Sequence, residues 1–411
     1  MATPRLSFKL SQGVLNTIDP PIPLAYTWAE KYTLSRGPLL DLSQGVPGTP
    51  PQEPLRAALA EASAALGSFG YCPAEGEPAL RQAMAPEMRA LYGDGTDITP
   101  DDMALTAGCN LAFVAAIMTL ADAGDEVILP VPWYFNHQMT LSMLNITTIP
   151  LKTRPEDGFT PSVSECKALI TPKTRAIVLV TPNNPTGATY SPALISQFSQ
   201  LARASGVALI MDETYRDFIT TAAPPHALFS DPAHTWRTHL IHLFSFSKSY
   251  GVPGHRLGLV VAGPAFQKPL RTVLDTLQIC PPRPIQRALA PILGALRPGV
   301  ADTARTLAAR HAVFAAHLPA GWAIRSSGAY YAFVRHPFAG RASADVCRRI
   351  AAELGVVLLP GAFFCDAAGL TAADDRWVRF SVANCDDARI RAACERLALC
   401  EDVFGWERGG A

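Results

Sequence analysis

Short apolar runs alternate with helix-length amphipathic stretches between about residue 100 and residue 262. Two of the intervening stretches, LAFVAAIMTLADAG and PALISQFSQLARASG, close on glycine, as helices commonly do. The repetition of strand, helix and strand predicts an α/β fold with a mainly parallel sheet covered by helices on both faces. We interpret seven runs as its strands: DMALTAG, DEVILPVP, ITTIPLK, AIVLVTP, VALIMDE, LIHLFSFS and RLGLVVAG.

The pattern changes after Pro298 and Gly299. A long helical stretch rich in Ala and Arg is followed by WAIRSSGAYYAFVR, a second helix, VVLLPG, WVRFSVAN and a final helix. This order predicts a smaller α+β unit, and we expect the proline-rich N-terminal segment to pack against it. The predicted domains are therefore a large domain of residues 48–297 and a small domain of residues 1–47 and 298–411.

Residues that follow the predicted strands are the candidates for chemistry, because ligands of parallel α/β sheets bind beyond the carboxyl ends of the strands. At TAGCNLAFV a helix begins directly after a strand, so the amides of Gly108, Cys109 and Asn110 lie at the positive end of a helix dipole. This turn can seat a phosphate, although many strand–helix turns with glycine look similar.

Two further strand ends carry polar groups. Asp212 follows VALIM directly, and a carboxylate at the edge of a buried sheet needs a cation unless it caps a helix. In FSFSKSYGVPGHRLG, Lys248 stands beside Ser245 and Ser247, and Arg256 follows eight positions later. The lysine precedes the glycines, so the stretch is not the phosphate loop of nucleotide hydrolases.

Composition narrows the classes of partner. The 35 Lys and Arg residues balance 35 Asp and Glu residues, so no net charge attracts nucleic acid or an anionic membrane. Nine scattered cysteines without a CxxC pair are typical of reduced thiols and predict a cytoplasmic protein. No segment has the apolar length of a signal peptide core or a membrane span. We expect neither nucleic acid nor membrane as a partner.

The sequence HLIH, with His239 and His242, lies within an apolar run. Alternating burial in a strand and a metal site are both compatible with this spacing. Neither an HExxH motif nor a carboxylate cluster accompanies the histidines, so we expect no metal.

Five motifs resemble those of the class I/II aminotransferase family of fold type I pyridoxal 5′-phosphate (PLP) enzymes, and they follow one another along this chain in the family's order. In that family SxSKxxxxxxxR carries the cofactor lysine, and NNPTG precedes DExY by a strand and a helix. YCPAEGEPALR at 71–81 resembles the family's Y-x4-G-x3-LR segment, and VRFSVAN at 378–384 resembles its C-terminal arginine motif. The resemblance covers most of the chain.

This resemblance implies a role for each unusual residue. Lys248 would carry PLP as a Schiff base and later move a proton, while Asp212 would pair with the protonated pyridine nitrogen. Tyr215 and Asn184 would donate hydrogen bonds to the ring oxygen, and Tyr134, rather than Trp133, would stack on the ring. The residues implied to bind the cofactor are Tyr71, Gly108, Cys109, Asn110, Tyr134, Asn184, Asp212, Tyr215, Ser245, Ser247, Lys248 and Arg256.

The resemblance also implies the substrates and the assembly. Arg379, assisted by Asn184 and Gly45, would bind the α-carboxylate of an L-amino acid whose amino group passes to a 2-oxo acid by a ping-pong mechanism. Tyr71 would reach the phosphate of a second subunit, which implies a homodimer. A related PLP reaction, such as β-elimination or synthesis, would use the same residues and remains an alternative. A non-catalytic regulator is a weaker one, because no basic helix–turn–helix segment precedes the motifs.

Substrate specificity gives one further hypothesis. Arg283 is flanked by prolines in TLQICPPRPIQ, a segment that in the family runs past the neighbouring active site. It could bind the side-chain carboxylate of an acidic substrate. Alternatively, Arg283 bridges the subunits or meets solvent, and the pocket takes a neutral substrate.

Overall fold

The structure is a computed structural model that describes residues 6–221, 223–366, 370–371 and 374–407. The seven apolar runs each form a strand of one sheet, as predicted. The strands of the chain are β1 (Leu40–Asp41), β2 (Met103–Thr106), β3 (Glu126–Val131), β4 (Thr147–Lys152), β5 (Thr174–Val180), β6 (Ala208–Asp212), β7 (Leu240–Ser245), β8 (Gly258–Ala262), β9 (Ala323–Gly328), β10 (Tyr331–Arg335), β11 (Val356–Val357), β12 (Leu359–Pro360) and β13 (Trp377–Ser381).

The large sheet has the order β2-β8-β7-β6-β5-β3-β4. Strands β3 to β7 pair in parallel, whereas β8 runs antiparallel to both β2 and β7. The sheet is therefore mainly parallel, as the strand–helix alternation predicts, and the carboxyl ends of β5, β6 and β7 lie side by side. This edge carries Asp212 and Ser245.

Helices cover both faces of the large sheet and complete the rest of the fold. Helix α8 shows the local signals clearly, since Ser191 caps its first turn and Gly206 ends it in the left-handed conformation at φ 67°. The helices are α1 (Gln12–Leu15), α2 (Pro21–Ala29), α3 (Glu53–Ala64), α4 (Pro78–Tyr92), α5 (Cys109–Leu120), α6 (Phe135–Met143), α7 (Val163–Leu169), α8 (Pro192–Ser205), α9 (Phe246–Ser249), α10 (Pro264–Gln278), α11 (Arg283–Leu289), α12 (Arg297–His317), α13 (Ser343–Arg349), α14 (Asp387–Ala398) and α15 (Cys400–Phe404).

Two hydrophobic cores lie on the two faces of the large sheet. Side chains alternate between faces along each strand, so Met211 of β6 packs into one core and Ile210 into the other. Helices α3, α4 and α8 supply side chains to the first core, and α5 and α10 to the second. The buried strands read as continuous apolar runs because both faces are covered.

A smaller antiparallel sheet has the order β12-β13-β10-β9. Its core contains Ala332 and Val334 of β10, together with Phe314 of α12. Leu40 and Leu42 join this core, and β1 pairs with β11. The α+β character predicted for the C-terminal part is therefore present in the structure. The exact domain boundaries at 47/48 and 297/298 stay a prediction.

The N-terminal segment contacts more than the smaller unit. Helix α2 packs against α13 and β11, as expected for residues that belong with the small sheet. Helix α1, in contrast, lies against α6 of the large sheet, where Gly13 approaches the carbonyl of Met143. The expectation that the N-terminal segment packs against the small unit therefore holds for α2 but not for α1.

Candidate active site

A cavity of about 260 Å³ opens at the carboxyl ends of β5, β6 and β7. It is lined by side chains from the large sheet, from the small sheet and from the segment that follows β1. Most of the residues singled out in the sequence line it together: Gly45, Cys109, Asn110, Tyr134, Asn184, Asp212, Tyr215, Ser245, Ser247, Lys248, Arg256 and Arg379.

One end of the cavity is a cradle for an anion. Gly108 stands at φ 89° before α5, a helix of 12 residues whose N-terminal amides point into the cavity. A Cβ on Gly108 would lie 2.1 Å from Nη2 of Arg256, so the guanidinium occupies the space that a side chain would fill. Arg256 itself has a left-handed backbone at φ 50°, and its Nη1 donates to the carbonyl of Pro253 at 3.0 Å. Helix amides and a guanidinium thus converge on one point.

Three small side chains complete this end of the cavity. The Oγ of Ser245 accepts a hydrogen bond from the amide of Ser247 at 3.3 Å, which orders the turn before Lys248. The thiol of Cys109 lies 3.6 Å from Oγ1 of Thr214. Burial raises the pKa of that thiol well above its ordinary value, and the nearby carboxylate of Asp212 adds to the effect. Cys109 is therefore a neutral thiol and leaves the positive charge of the cradle uncompensated.

The amine of Lys248 lies at the centre of the site. Its Nζ donates to the carbonyl of Gly45 at 2.6 Å, and the ring of Tyr330 lies 5.9 Å from it. Burial and, to a smaller extent, the positive charges of Arg379 and Arg256 together lower the pKa of Lys248 from 10.5 to about 8. A larger fraction of this amine is neutral at neutral pH than of an exposed lysine.

Asp212 is held as a carboxylate. Its Oδ1 accepts hydrogen bonds from the amide and the hydroxyl of Thr214, at 3.0 and 2.7 Å, and its Oδ2 lies 3.2 Å from Nε2 of His137. Burial alone would raise the pKa of Asp212, but the bonds and charge of His137 and the bonds of Thr214 outweigh it and hold the pKa below its ordinary value. Phe113 stacks on the His137 ring with centroids 3.9 Å apart. His137 is thus the partner that a buried carboxylate requires, and the helix-cap alternative for Asp212 is not needed.

Two tyrosines and an asparagine line the opposite side. The hydroxyl of Tyr215 lies 2.6 Å from that of Tyr331, and burial together with this neighbour raises the pKa of Tyr215 well above its ordinary value. Tyr215 is therefore a neutral hydrogen-bond donor. Asn184 uses its Oδ1 to accept from Nη1 of Arg379 at 2.8 Å, which leaves its amide NH₂ toward the cavity.

Arg379 is a buried guanidinium at the boundary between the two sheets. Its Nη2 donates to the carbonyl of Ser43. Its Cζ lies 4.6 Å from the ring centroid of Tyr331 and 4.9 Å from that of Phe364. Its Nε has no hydrogen-bond partner among the described residues, and burial lowers its pKa while the surrounding tyrosines oppose the shift. A buried N–H without a partner is a binding position for an acceptor such as a carboxylate.

Tyr134, not Trp133, lines the cavity, as the resemblance implies. Trp133 instead packs into the core beneath it. The hydroxyl of Tyr134 donates to Oδ1 of Asn110 at 3.2 Å and accepts from Nδ2 of Asn136 at 2.9 Å. The two amides fix the position of the ring at the mouth of the cavity.

Tyr71 and Arg283 are not in the cavity of their own chain. Tyr71 is 78% exposed, and no hydrogen bond of its side chain is seen in the described part of the chain. Arg283 donates from Nε to Glu77 at 2.6 Å and from Nη1 to the carbonyl of Gly70 at 3.0 Å. This pairing uses the guanidinium inside its own subunit, next to the segment that carries Tyr71.

Sequence reasoning missed three residues that position the site. His137 holds Asp212, Tyr331 holds Tyr215, and the Ser43 carbonyl holds Arg379. For His137 a local signal was present, because a residue three positions after Tyr134 at the start of a helix faces the same side. The other two partners come from distant parts of the chain and carry no local signal.

The two histidines of HLIH are explained by burial. His242 is fully buried, with Nε2 at 3.0 Å from Glu213, and His239 bonds to Ser199 at 2.8 Å. Across the described ranges, no group of three or more His, Cys, Asp or Glu side chains is arranged to hold a metal ion. In the same residues, every helix is too short or too polar to cross a bilayer. All nine cysteines are free thiols.

Comparison with known proteins places this site in a family. The profile of "Aminotransferase class I and II" matches residues 37–397. An aromatic aminotransferase of Arabidopsis thaliana is 30% identical over 80% of each chain, and a valine–pyruvate aminotransferase of Mycobacterium tuberculosis is 29% identical over 85% of this chain and 90% of its own. A mutant aspartate aminotransferase of Thermus thermophilus superposes with a TM-score of 0.84 at 26% identity, covering 95% and 99% of the two chains.

These matches extend over both sheets and over all five motifs, and the fold is that of the fold type I enzymes. The chain therefore belongs to the class I and II aminotransferase family.

Proposed function

We propose that this aminotransferase uses PLP to move the amino group of an L-amino acid to a 2-oxo acid in two half-reactions at one site, a ping-pong mechanism. One observation carries the proposal. The amine of Lys248, the carboxylate of Asp212 and the guanidinium of Arg379 face one cavity, whose other end is the cradle of Arg256 and the α5 amides.

The residues present fit PLP at both of its ends. The cradle of Gly108 and Arg256 offers N–H donors and positive charge to a phosphate, with the hydroxyls of Ser245 and Ser247 beside it. At the other end Asp212 is ionised and can pair with a protonated pyridine nitrogen. Bound PLP supplies an electron-withdrawing ring that stabilises negative charge at the substrate Cα.

The Asp212 carboxylate would keep the ring nitrogen of bound PLP protonated. His137 and Thr214 hold its two oxygens in fixed positions, so its charge is directed at one point and costs no rearrangement during the reaction. Asn184 and Tyr215 would donate hydrogen bonds to the ring oxygen, since Asn184 uses only its Oδ1 to accept from Arg379 and the hydroxyl of Tyr215 is neutral. Tyr134 would stack on the ring.

Lys248 supplies the reactive amine. Its lowered pKa raises the fraction of neutral amine, which is the form that attacks an aldehyde. With PLP bound, the amine of Lys248 would also be the base that takes a proton from the substrate Cα. Its hydrogen bond to the Gly45 carbonyl, at 2.6 Å, fixes the position of the amine in the cavity.

Arg379 binds the substrate α-carboxylate through its unpaired Nε and through Nη1, which Asn184 holds in place. A carboxylate fixed at this point would set the orientation of the substrate Cα toward bound PLP, and with it which Cα bond is broken. Gly45 keeps this side of the cavity open, since a Cβ there would lie 1.9 Å from the hydroxyl of Tyr331.

We also propose that the active enzyme is a homodimer. Tyr71 is exposed together with Leu66 and Phe69, its neighbours along the chain, which are 89% and 76% exposed, and Ile279 is 51% exposed. Large exposed apolar side chains that lie together are typical of a protein interface. In a dimer formed through this segment, Tyr71 would reach the phosphate in the partner subunit.

A spectroscopic titration tests the proposal. An amino acid added to the PLP-loaded enzyme should convert the cofactor to its amino form without releasing ammonia, and a 2-oxo acid should reverse the change. A lyase would instead release ammonia and leave the cofactor spectrum unchanged at completion. The second result would replace transamination by the related PLP reactions that use the same residues.

A further inference from the structure

We propose that the substrate pocket is built for side chains without a negative charge, so that both the amino donor and the 2-oxo acceptor are monocarboxylates. The inference rests on the proposed function and deepens it by naming the substrate class. Its basis is the set of charged side chains that line the cavity in the described part of one subunit, each of which has a use that excludes a second carboxylate.

Four charged side chains line the cavity: Asp212, Lys248, Arg256 and Arg379. Arg256 lies in the anion cradle at the start of α5, which a phosphate fills. Arg379 is fully buried, donates to Asn184 and Ser43, and keeps its Nε for the α-carboxylate, so it is already assigned to one carboxylate. Lys248 is consumed by its covalent role.

The remaining lining is uncharged. Beyond Tyr134 the wall consists of three amides and three apolar side chains: Gln44, Asn110, Asn136, Ile22, Val46 and Phe135. Amides can bind a polar neutral group, and the apolar members bury hydrocarbon. A side-chain carboxylate here would lose its water without gaining a cation.

The other possible source of a cation is the segment near Tyr71, which we expect to approach a neighbouring active site. Its arginine, Arg283, is held by Glu77 and by the carbonyl of Gly70. To bind a substrate in the partner, the guanidinium would have to leave a carboxylate at 2.6 Å and strand Glu77, which is only 16% exposed. This geometry favours the neutral-substrate alternative over the acidic one for Arg283.

The acceptor follows from the donor. In a ping-pong reaction the 2-oxo acid enters the same cavity that the donor's product has left, so its side chain meets the same uncharged wall. A dicarboxylic 2-oxo acid is therefore as poor an acceptor as the matching amino acid is a donor. The reaction that regenerates the enzyme must consume a monocarboxylic 2-oxo acid.

Isosteric pairs test the charge alone. We would measure the half-reaction of the PLP-loaded enzyme with asparagine against aspartate and with glutamine against glutamate. A carboxylate that loses its water without gaining a cation is disfavoured by roughly tenfold or more, so each amide should exceed its acid in second-order rate constant by at least about tenfold. Equal rates, or faster acids, would overturn the proposal.

A binding measurement separates this inference from the proposed function. Succinamate and succinate differ only in the distal charge and need no chemistry, so calorimetric titration reports the pocket even if no amino acid is turned over. We expect succinamate to bind at least about tenfold more tightly; a tighter succinate would refute the inference while leaving transamination intact. Absence of any half-reaction, with succinamate still preferred, would refute the proposed function alone.

A gain of function completes the test. Val46→Lys places a cation in the wall, with Val46→Met as a control of similar length and no charge. The ratio of aspartate to asparagine rates should rise in V46K by about tenfold and stay unchanged in V46M. If wild type already prefers acids and Arg283→Met abolishes that preference, the partner supplies the cation and the proposal is wrong.

Discussion

The anion cradle can be tested at a single Cβ. Gly108→Ala adds one methyl group at a backbone of φ 89° and ψ 161°, where it would lie 2.1 Å from Nη2 of Arg256. Two costs follow. The backbone conformation is disfavoured for an L side chain by about 1–3 kcal/mol, and the guanidinium must leave the cradle. Because it is the end of a flexible side chain, its displacement adds little to the free energy of folding.

Gly93 isolates the first cost from the second. It stands at φ 101° and ψ 162°, nearly the same conformation, yet a Cβ there would meet nothing within 4 Å. Gly93→Ala should therefore destabilise the unliganded protein by about 1–3 kcal/mol and leave PLP affinity unchanged. Gly108→Ala should destabilise it by a similar amount and also weaken PLP binding.

The expected loss of affinity comes from the displaced Arg256. A hydrogen bond to a charged group is worth about 1.5–3 kcal/mol, which corresponds to a rise in Kd of roughly 10- to 150-fold. Denaturant unfolding of both unliganded variants gives the stability, and fluorescence titration with PLP gives the affinity. If G108A binds PLP as tightly as G93A, Arg256 does not bind the phosphate from this position and the cradle is misassigned.

Other residues give further expectations. Lys248→Ala should abolish turnover but leave PLP bound noncovalently, and in the wild type borohydride should fix the cofactor on the peptide with Lys248; labelling of another peptide would refute the assignment. Asp212→Ala should lose far more activity than Asp212→Glu, since only the latter keeps a charge for the ring nitrogen. Near-normal turnover of the Ala variant would show that Asp212 only stabilises the turn and does not pair with the ring nitrogen. The pKa of Lys248 is lowered on folding to about 8, so between about pH 8 and 10.5 the unfolded chain binds the extra proton. The stability of the unliganded wild type relative to Lys248→Met should therefore rise with pH across that window, and a flat difference would contradict the burial of a neutral amine. Arg283→Met should lower the free energy of unfolding modestly, because the ion pair with Glu77 is lost, while kcat/KM for acidic and neutral donors changes equally. A selective loss of kcat/KM for acidic donors would give Arg283 a role in the partner's pocket.

Local signals in the sequence determined the strand and helix order, and with it the edge at which the site lies. Gly108 ahead of a helix, Asp212 at the end of an apolar run and the eight-residue spacing of Lys248 and Arg256 depend on neighbours along the chain, so they can be read without the fold. The direction of β8 could not be read in this way. An apolar run buried on both faces has the same pattern in either direction, and pairing with β2 and β7 makes it antiparallel.

Tertiary structure alone decided how the site is held. Arg379 meets Asn184 and Ser43 across 195 and 336 residues of chain, and Tyr215 meets Tyr331 across 116. Such contacts have no spacing rule, because they depend on how the two sheets pack and not on either segment's own conformation. The same is true of Arg283: its sequence offers a stiff cation, and only the packing of Glu77 against it decides that the charge is already paired. The residue types that can do the chemistry are written in local patterns, whereas their protonation, orientation and freedom to bind depend on partners that only folding brings within reach.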